Sequence, residues 1–72
     1  MDIDDLAICL SKDFKGYFEV RNEEPVNHLL NPFLELATER IEYLMNGGYE
    51  LDDAYEEYKS EIVSDIEYIL RG

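Results

Sequence analysis

Cysteine is almost absent from this 72-residue sequence, and so is any long apolar run. Cys9 is the only cysteine, so the chain cannot form an internal disulfide, which fits a reducing compartment. No apolar run approaches the roughly 20 residues that a membrane span needs. The first residues, MDIDDLAIC, lack the positive start of a secretory signal. We therefore expect a cytoplasmic protein that does not enter a membrane.

Basic residues are scarce as well. Six lysines and arginines stand against 18 aspartates and glutamates, which gives a net charge of −12. Phosphate groups are bound mainly by lysine and arginine, and the six present here are scattered along the chain. The composition therefore argues against direct binding to nucleic acid or to an anionic membrane.

Motifs for catalysis or metal binding are missing too. The sequence has no glycine-rich phosphate loop and no nucleophile motif, and His28 has no second histidine or nearby cysteine to complete a metal site. Glu35, Glu39 and Glu42 share one helix face, but solvated faces commonly look like this. A chain this short can hardly pack a core and also enclose a pocket of ordinary ligand size. We expect no enzyme activity, no cofactor and no bound metal.

The clearest feature that is present is an amphipathic segment from Tyr49 to Arg71. Its apolar residues recur every three or four positions, which is the period of a helix with one buried face. The residues in this row are Leu51, Tyr55, Tyr58, Ile62, Ile66 and Ile69, widened by Ala54 and Leu70.

Two further segments have the same period, so the sequence predicts a single all-α domain over residues 1–72. We expect a three-helix bundle with helices at about 3–15, 32–46 and 50–71 and a short helical turn near 26–30. Asp2 is the expected cap of the first helix, and Gly16 is expected to end or weaken it. Asn31 and Pro32 are expected to begin the second helix, and Gly47 and Gly48 to end it. The predicted apolar rows of these two helices are Ile3, Leu6, Ala7, Leu10 and Phe14, and Leu34, Ala37, Ile41, Leu44 and Met45.

The segment 6–21 also permits a different fold. Tyr17, Phe18 and Val20 favour β-structure, and residues 6–10 also fit a strand. A hairpin over residues 6–21 would give a ββαα chain. The competing interpretation is that Tyr17 and Phe18 close the core from a connecting segment or extend the first helix.

The third helix carries an unusual series of like charges. Asp53 lies four residues before Glu57, and Glu57 lies four before Glu61. Carboxylates at this spacing destabilise a helix by roughly 0.2–0.5 kcal/mol per pair, yet no lysine relieves them. A face kept acidic for solubility is one explanation, and a face shaped to meet a basic partner is the other.

We favour the second explanation and predict a small acidic inhibitor that binds protein. Ladders of carboxylates on a helix offer a density of negative charge comparable with that of a DNA strand. In general character the chain resembles small acidic phage or mobile-element proteins that block host defence nucleases or transcription proteins, which implies a DNA mimic that serves host defence evasion. The expected partner is the basic groove of a nucleic-acid-binding or defence protein. The predicted partner-binding residues are Asp52, Asp53, Glu56, Glu57, Glu61, Asp65, Glu67, Tyr55 and Tyr68, and Tyr43 and Tyr49 are further aromatic anchors if they are exposed.

The alternative function is a housekeeping protein-interaction module. Such a module would dock on a partner or form a homodimer through apolar helix faces, and its acidic residues would serve only solubility. Val63 and Tyr68 lie beside the main apolar row. If they are exposed next to Tyr55, a second apolar seam exists and this alternative gains support.

Overall fold

The chain folds as an all-α bundle without strands. The computed structural model describes all 72 residues, Met1–Gly72. Four α-helices follow in order: α1 (Ile3–Val20), α2 (Leu30–Asn46), α3 (Leu51–Tyr58) and α4 (Ile62–Leu70). Short 3-10 turns at Asn27–Leu29 and Lys59–Glu61 lead into α2 and α4. The predicted all-α bundle is confirmed and the ββαα alternative is wrong. None of these helices has both the length and the apolar character needed to span a bilayer.

The first helix begins where predicted but ends five residues later. Asp2 accepts a hydrogen bond from the Asp5 amide at 2.9 Å, as expected of an N-cap. Gly16 does not end α1, because one glycine in a helix costs only about 1 kcal/mol and the apolar side chains beyond it gain burial. The stop is Asn22, which has a left-handed backbone with φ of 56°. The amide of Glu23 donates to the Phe18 carbonyl at 2.9 Å, which closes the helix end.

The second helix begins two residues earlier than predicted. Leu30 is its first residue, and the preceding Leu29 makes no side-chain cap. Asn31 is therefore inside the helix, and Pro32 is in the first turn, where its missing N–H is not needed. At the other end, Gly48 has φ of 110° and the Tyr49 amide donates to the Leu44 carbonyl at 3.2 Å. The predicted glycine cap is confirmed.

The third predicted helix is present, but one turn of it is tightened. The segment 51–70 is helical throughout, with the 3-10 turn Lys59–Glu61 between α3 and α4. The Ser60 hydroxyl donates to the Glu57 carbonyl at 3.1 Å within this turn. The change to 3-10 geometry alters the rotation of α4 relative to α3, since a 3-10 turn holds about 3.0 residues and an α-turn 3.6.

The core forms where α2 packs against α1, α3 and α4. Phe14 is at its centre, with ring centroids 5.2 Å from Phe18 and 5.5 Å from Phe33. Most of the predicted apolar row of the third helix is buried, but Leu51 and Ile69 are only partly buried and Leu70 is exposed. The buried apolar residues are Leu6, Leu10, Phe14 and Phe18 of α1, Phe33, Ala37 and Ile41 of α2, and Ala54, Tyr55, Tyr58, Ile62 and Ile66 of the third segment.

Four predicted core positions are exposed instead, namely Ile3, Ala7, Met45 and Leu70. Ile3, Met45 and Leu70 lie at helix ends, whereas Ala7 is on the exposed face of α1 between the buried Leu6 and Leu10. Phe33 was missed because the predicted helix began only one residue before it.

Candidate partner-binding site

A row of three carboxylates remains exposed on the third helical segment. Asp53 and Glu57 are on α3, and Glu61 ends the 3-10 turn that follows. All three side chains are exposed, and none has a basic group within ion-pair distance. The like-charge ladder predicted from the sequence is therefore present on the surface and unneutralised along this row.

Two of the other predicted acids have internal partners. Asp52 Oδ1 lies 3.3 Å from the amino-terminal nitrogen of Met1. Glu56 Oε1 lies 3.4 Å from Lys59 Nζ, one turn further along the helix. Exposed pairs of this kind add little stability, but they reduce the negative charge that this side of α3 presents.

Asp65 does not belong to the exposed acidic face, which corrects the prediction. Its side chain is buried between α2 and α4, where Arg40 Nε lies 2.7 Å from Oδ2. The Tyr58 hydroxyl donates to the same oxygen at 2.8 Å. Burial, and then the hydrogen bond to Asp65, raises the pKa of Tyr58 above its ordinary value. Asp65 thus joins two helices instead of facing a partner.

Tyr55 is also buried, so it cannot act as an exposed aromatic anchor. Its ring is in the core, and its hydroxyl donates to Asp13 Oδ2 on α1. Burial, followed by this hydrogen bond, raises the pKa of Tyr55. The sequence placed Tyr55 in the apolar row and also among the candidate anchors, and the structure supports only the first position.

Glu57 and Glu61 of the exposed row line a groove between α2 and α3, whereas Asp53 lies outside it. We call it the α2–α3 groove; its volume is about 600 Å³. Glu39 of α2 lines one side of this groove, and Glu57 and Glu61 of the third helical segment line the other side. The lining residues are Leu36, Glu39, Arg40, Tyr43, Leu44, Glu57, Tyr58, Ser60 and Glu61.

Tyr43 is the largest exposed apolar side chain beside this groove. Its side chain is 79% exposed, and its hydroxyl makes no hydrogen bond within the protein. Tyrosines with a free ring and hydroxyl are common anchors of protein interfaces. Tyr43 is therefore exposed, as its predicted role as an aromatic anchor requires.

The acids of α2 extend the charged surface outward from the groove. Glu39 lines both the α2–α3 groove and a shallow depression on the outer side of α2. Glu35 and Glu42 border that depression, and neither has an ion-pair partner. Acids from two helices thus meet around Glu39. The sequence indicated that Glu35, Glu39 and Glu42 share a face, but not which other helix this face adjoins.

The remaining predicted residues lie apart from the groove. Glu67 and Tyr68 are exposed on α4 but do not line it. Val63 is 47% and Tyr68 66% exposed, whereas Tyr55 is buried. The second apolar seam predicted for an interaction module is thus only partly present.

A second groove lies between α1 and the start of α4. Gly16 and Val20 of α1 face Ile62 and Val63 across it, with Lys59 at its edge. Val20 is one of the most exposed apolar side chains of the molecule. We call it the α1–α4 groove; Lys59 and Arg21 are its basic lining residues, and Asp13 is its acidic one.

No protein-family model, no curated protein and no solved structure matches this chain. Similarity therefore adds nothing to the geometry of the site.

Proposed function

We propose that the protein is a small acidic inhibitor that binds the basic groove of a nucleic-acid-binding protein. The observation that carries this proposal is the position of Glu39, Glu57 and Glu61. These three unpaired carboxylates come from two helices and surround one groove. The like charges repel one another, so this arrangement costs the isolated protein some stability.

The spacing of these acids suits a surface that otherwise receives phosphates. Residues four apart on a helix have Cβ atoms roughly 5–6 Å apart, and phosphates along one DNA strand repeat every 3.4 Å or so. Two helices that place acids on opposite sides of a groove raise the local density further. Opposite charges on the two partners would also speed their encounter.

The internal contacts of Asp65 support this function indirectly. Arg40 and Tyr58 both hold Asp65, and all three residues lie under or beside the α2–α3 groove. This network ties α2 to the third helical segment, so the acidic walls keep a fixed separation. A preorganised surface loses less entropy on binding than a mobile acidic tail does.

A capture experiment with competing DNA tests the proposal. The immobilised protein is incubated with a bacterial lysate, and bound proteins are eluted either with salt or with double-stranded DNA. We expect a nucleic-acid-binding protein that both treatments release, because DNA competes for the same basic groove. A protein that resists both treatments, or no specific capture, would contradict the proposal.

The variant Glu57→Gln/Glu61→Gln provides the matched measurement. It removes two charges from the groove, whereas Glu19→Gln/Glu23→Gln removes two exposed charges from another part of the chain. Capture should weaken in the first variant and remain near wild type in the second. Equal weakening would point to net charge alone.

A homodimer is the second candidate function, and the α1–α4 groove favours it. Val20 and Val63 are exposed on its two sides, and Gly16 leaves open space between them. Sedimentation equilibrium of the wild type and of Val20→Lys/Val63→Lys distinguishes the two functions. A dimer that the substitution dissociates would support the interaction module, and a monomer at all concentrations would contradict it.

A further inference from the structure

We propose that the α2–α3 groove binds an arginine side chain of the partner. Its guanidinium group lies over the Tyr43 ring, between Glu39 on one wall and Glu57 and Glu61 on the other. This inference rests on the proposed function and names the chemistry of its central contact. It goes beyond the proposed function because it predicts a preference for arginine over lysine, which a diffuse acidic surface would not show.

The charge balance of the groove calls for a cation. Three glutamates line it, and the only basic lining residue is Arg40. Arg40 is held by Asp65 at 2.7 Å, so this internal pair is electrically neutral. The three glutamates have no ion-pair partner within the chain, so the groove keeps an excess of negative charge.

The shape and apolar lining of the groove favour a planar cation on a long stem. Leu36 and Leu44 line it together with the Tyr43 ring, so the methylene groups of an incoming side chain can bury against them. A guanidinium group stacks on an aromatic face and donates to carboxylates in its own plane. The ammonium group of lysine is compact and strongly hydrated, so it uses such a site less well.

The protein contains an example of the same contact within its own chain. The guanidinium carbon of Arg21 lies 3.8 Å from the centroid of the Tyr17 ring. Tyr43 differs because no basic group of the chain covers it and its ring is free. The ring is therefore available to a partner's arginine.

Two synthetic helical peptides of equal length and charge test the inference. One carries arginine at every basic position and the other carries lysine. Fluorescence anisotropy measures their affinity for the wild type, Tyr43→Leu and Tyr43→Phe. We expect the arginine peptide to bind more tightly, and Tyr43→Leu to weaken it about two- to fivefold, which is the range of an exposed cation–π contact. Tyr43→Phe keeps the ring and should retain the affinity.

The glutamates are tested with the same peptides. Glu57→Gln/Glu61→Gln should reduce the preference for arginine over lysine, and the control Glu19→Gln/Glu23→Gln should leave that preference intact. Because Tyr43 and these glutamates are exposed, the variants should fold as the wild type does, which circular dichroism checks.

Two results would overturn the inference. One is equal affinity for both peptides together with no effect of Tyr43→Leu, and the other is no binding of either peptide. In both cases the DNA-competition capture still decides the proposed function separately. If the arginine peptide binds more tightly but the lysate yields no partner that DNA displaces, the arginine site in the groove is supported and the proposed nucleic-acid mimicry is contradicted.

Discussion

Arg40 and Tyr58 donate to the same oxygen of Asp65, at 2.7 Å and 2.8 Å. Only 5% of the Asp65 side chain is exposed, whereas Arg40 is about half-exposed. No buried side-chain nitrogen or oxygen of the protein lacks a hydrogen-bond partner. This contact joins α2 to Tyr58 at the end of α3 and to Asp65 in the first turn of α4, on either side of the 3-10 turn. It therefore holds α2 and the third helical segment together beneath the α2–α3 groove.

Removal of the shared carboxylate should destabilise the fold. In Asp65→Ala the buried Tyr58 hydroxyl loses its acceptor, which costs about 1–3 kcal/mol, and Arg40 loses its counter-charge. Tyr58→Phe should cost less, because Asp65 keeps Arg40 and no donor is left unpaired. Urea unfolding measures the free energies. A loss in Asp65→Ala no larger than that in Tyr58→Phe would contradict this account of the network.

Stability should fall at alkaline pH. Burial raises the pKa of Tyr55 and of Tyr58 in the folded state, while in the unfolded chain both titrate near the ordinary value of about 10. The folded state therefore holds these protons more tightly, and this stabilisation is complete below pH ~10 and is lost as the pH rises above it.

Tyrosine-to-phenylalanine variants separate this effect from other alkaline titrations. Unfolding free energies are measured one unit below and one to two units above the ordinary tyrosine pKa. Tyr55→Phe and Tyr58→Phe should each lose less stability over this interval than the wild type. The exposed Tyr68 is the control, and Tyr68→Phe should follow the wild type. A wild-type profile that is flat through this range would contradict the prediction.

Gly16→Ala should stabilise the protein. Gly16 lies inside α1, one turn before its last residue, and an added Cβ would meet no atom within 4 Å. Alanine is favoured over glycine in a helix interior by about 0.5–1 kcal/mol. The melting temperature should rise accordingly. A fall would mean that the open space beside Gly16 is needed in solution, for example by a second copy in the α1–α4 groove.

Truncation of Ile66 should be the more damaging of two core changes on α4. Ile66 is fully buried, and Ile62 is 8% exposed at the edge of the α1–α4 groove. Isoleucine-to-alanine changes in a core cost about 2–5 kcal/mol. We expect Ile66→Ala near the upper part of that range and Ile62→Ala near the lower part. Equal losses in thermal unfolding would contradict the assigned burial.

The helices could be predicted because the apolar residues of each segment recur at helical spacing. Leu10 of α1, Ala37 of α2 and Ile66 of α4 belong to these rows, and all three are buried. The helix ends were less predictable. Gly16 disfavours a helix only weakly, and the burial of Phe18 outweighs this cost. Asn22 ends α1 through a left-handed backbone conformation that the sequence only suggests.

The site could be predicted only in part. The row through Asp53, Glu57 and Glu61 follows from spacing within one helix, and it is exposed as expected. Asp65 has the same spacing, but its environment is set by Arg40 on α2. The position of Glu39 across the groove from Glu57 and Glu61 likewise depends on how two helices pack. The periodicity within one helix does not determine this packing.

The salt dependence of partner affinity decides whether the acidic groove binds a basic surface. The affinity of the captured nucleic-acid-binding protein is measured over a range of salt concentrations for the wild type, Glu57→Gln/Glu61→Gln and Glu19→Gln/Glu23→Gln. Fewer charges then meet the basic groove in the first variant, so its affinity should be lower and its salt dependence weaker. Its melting temperature should be unchanged or slightly higher, since like-charge repulsion is removed. Wild-type affinity that does not change with salt, or a groove variant that binds as the wild type does, would contradict the account.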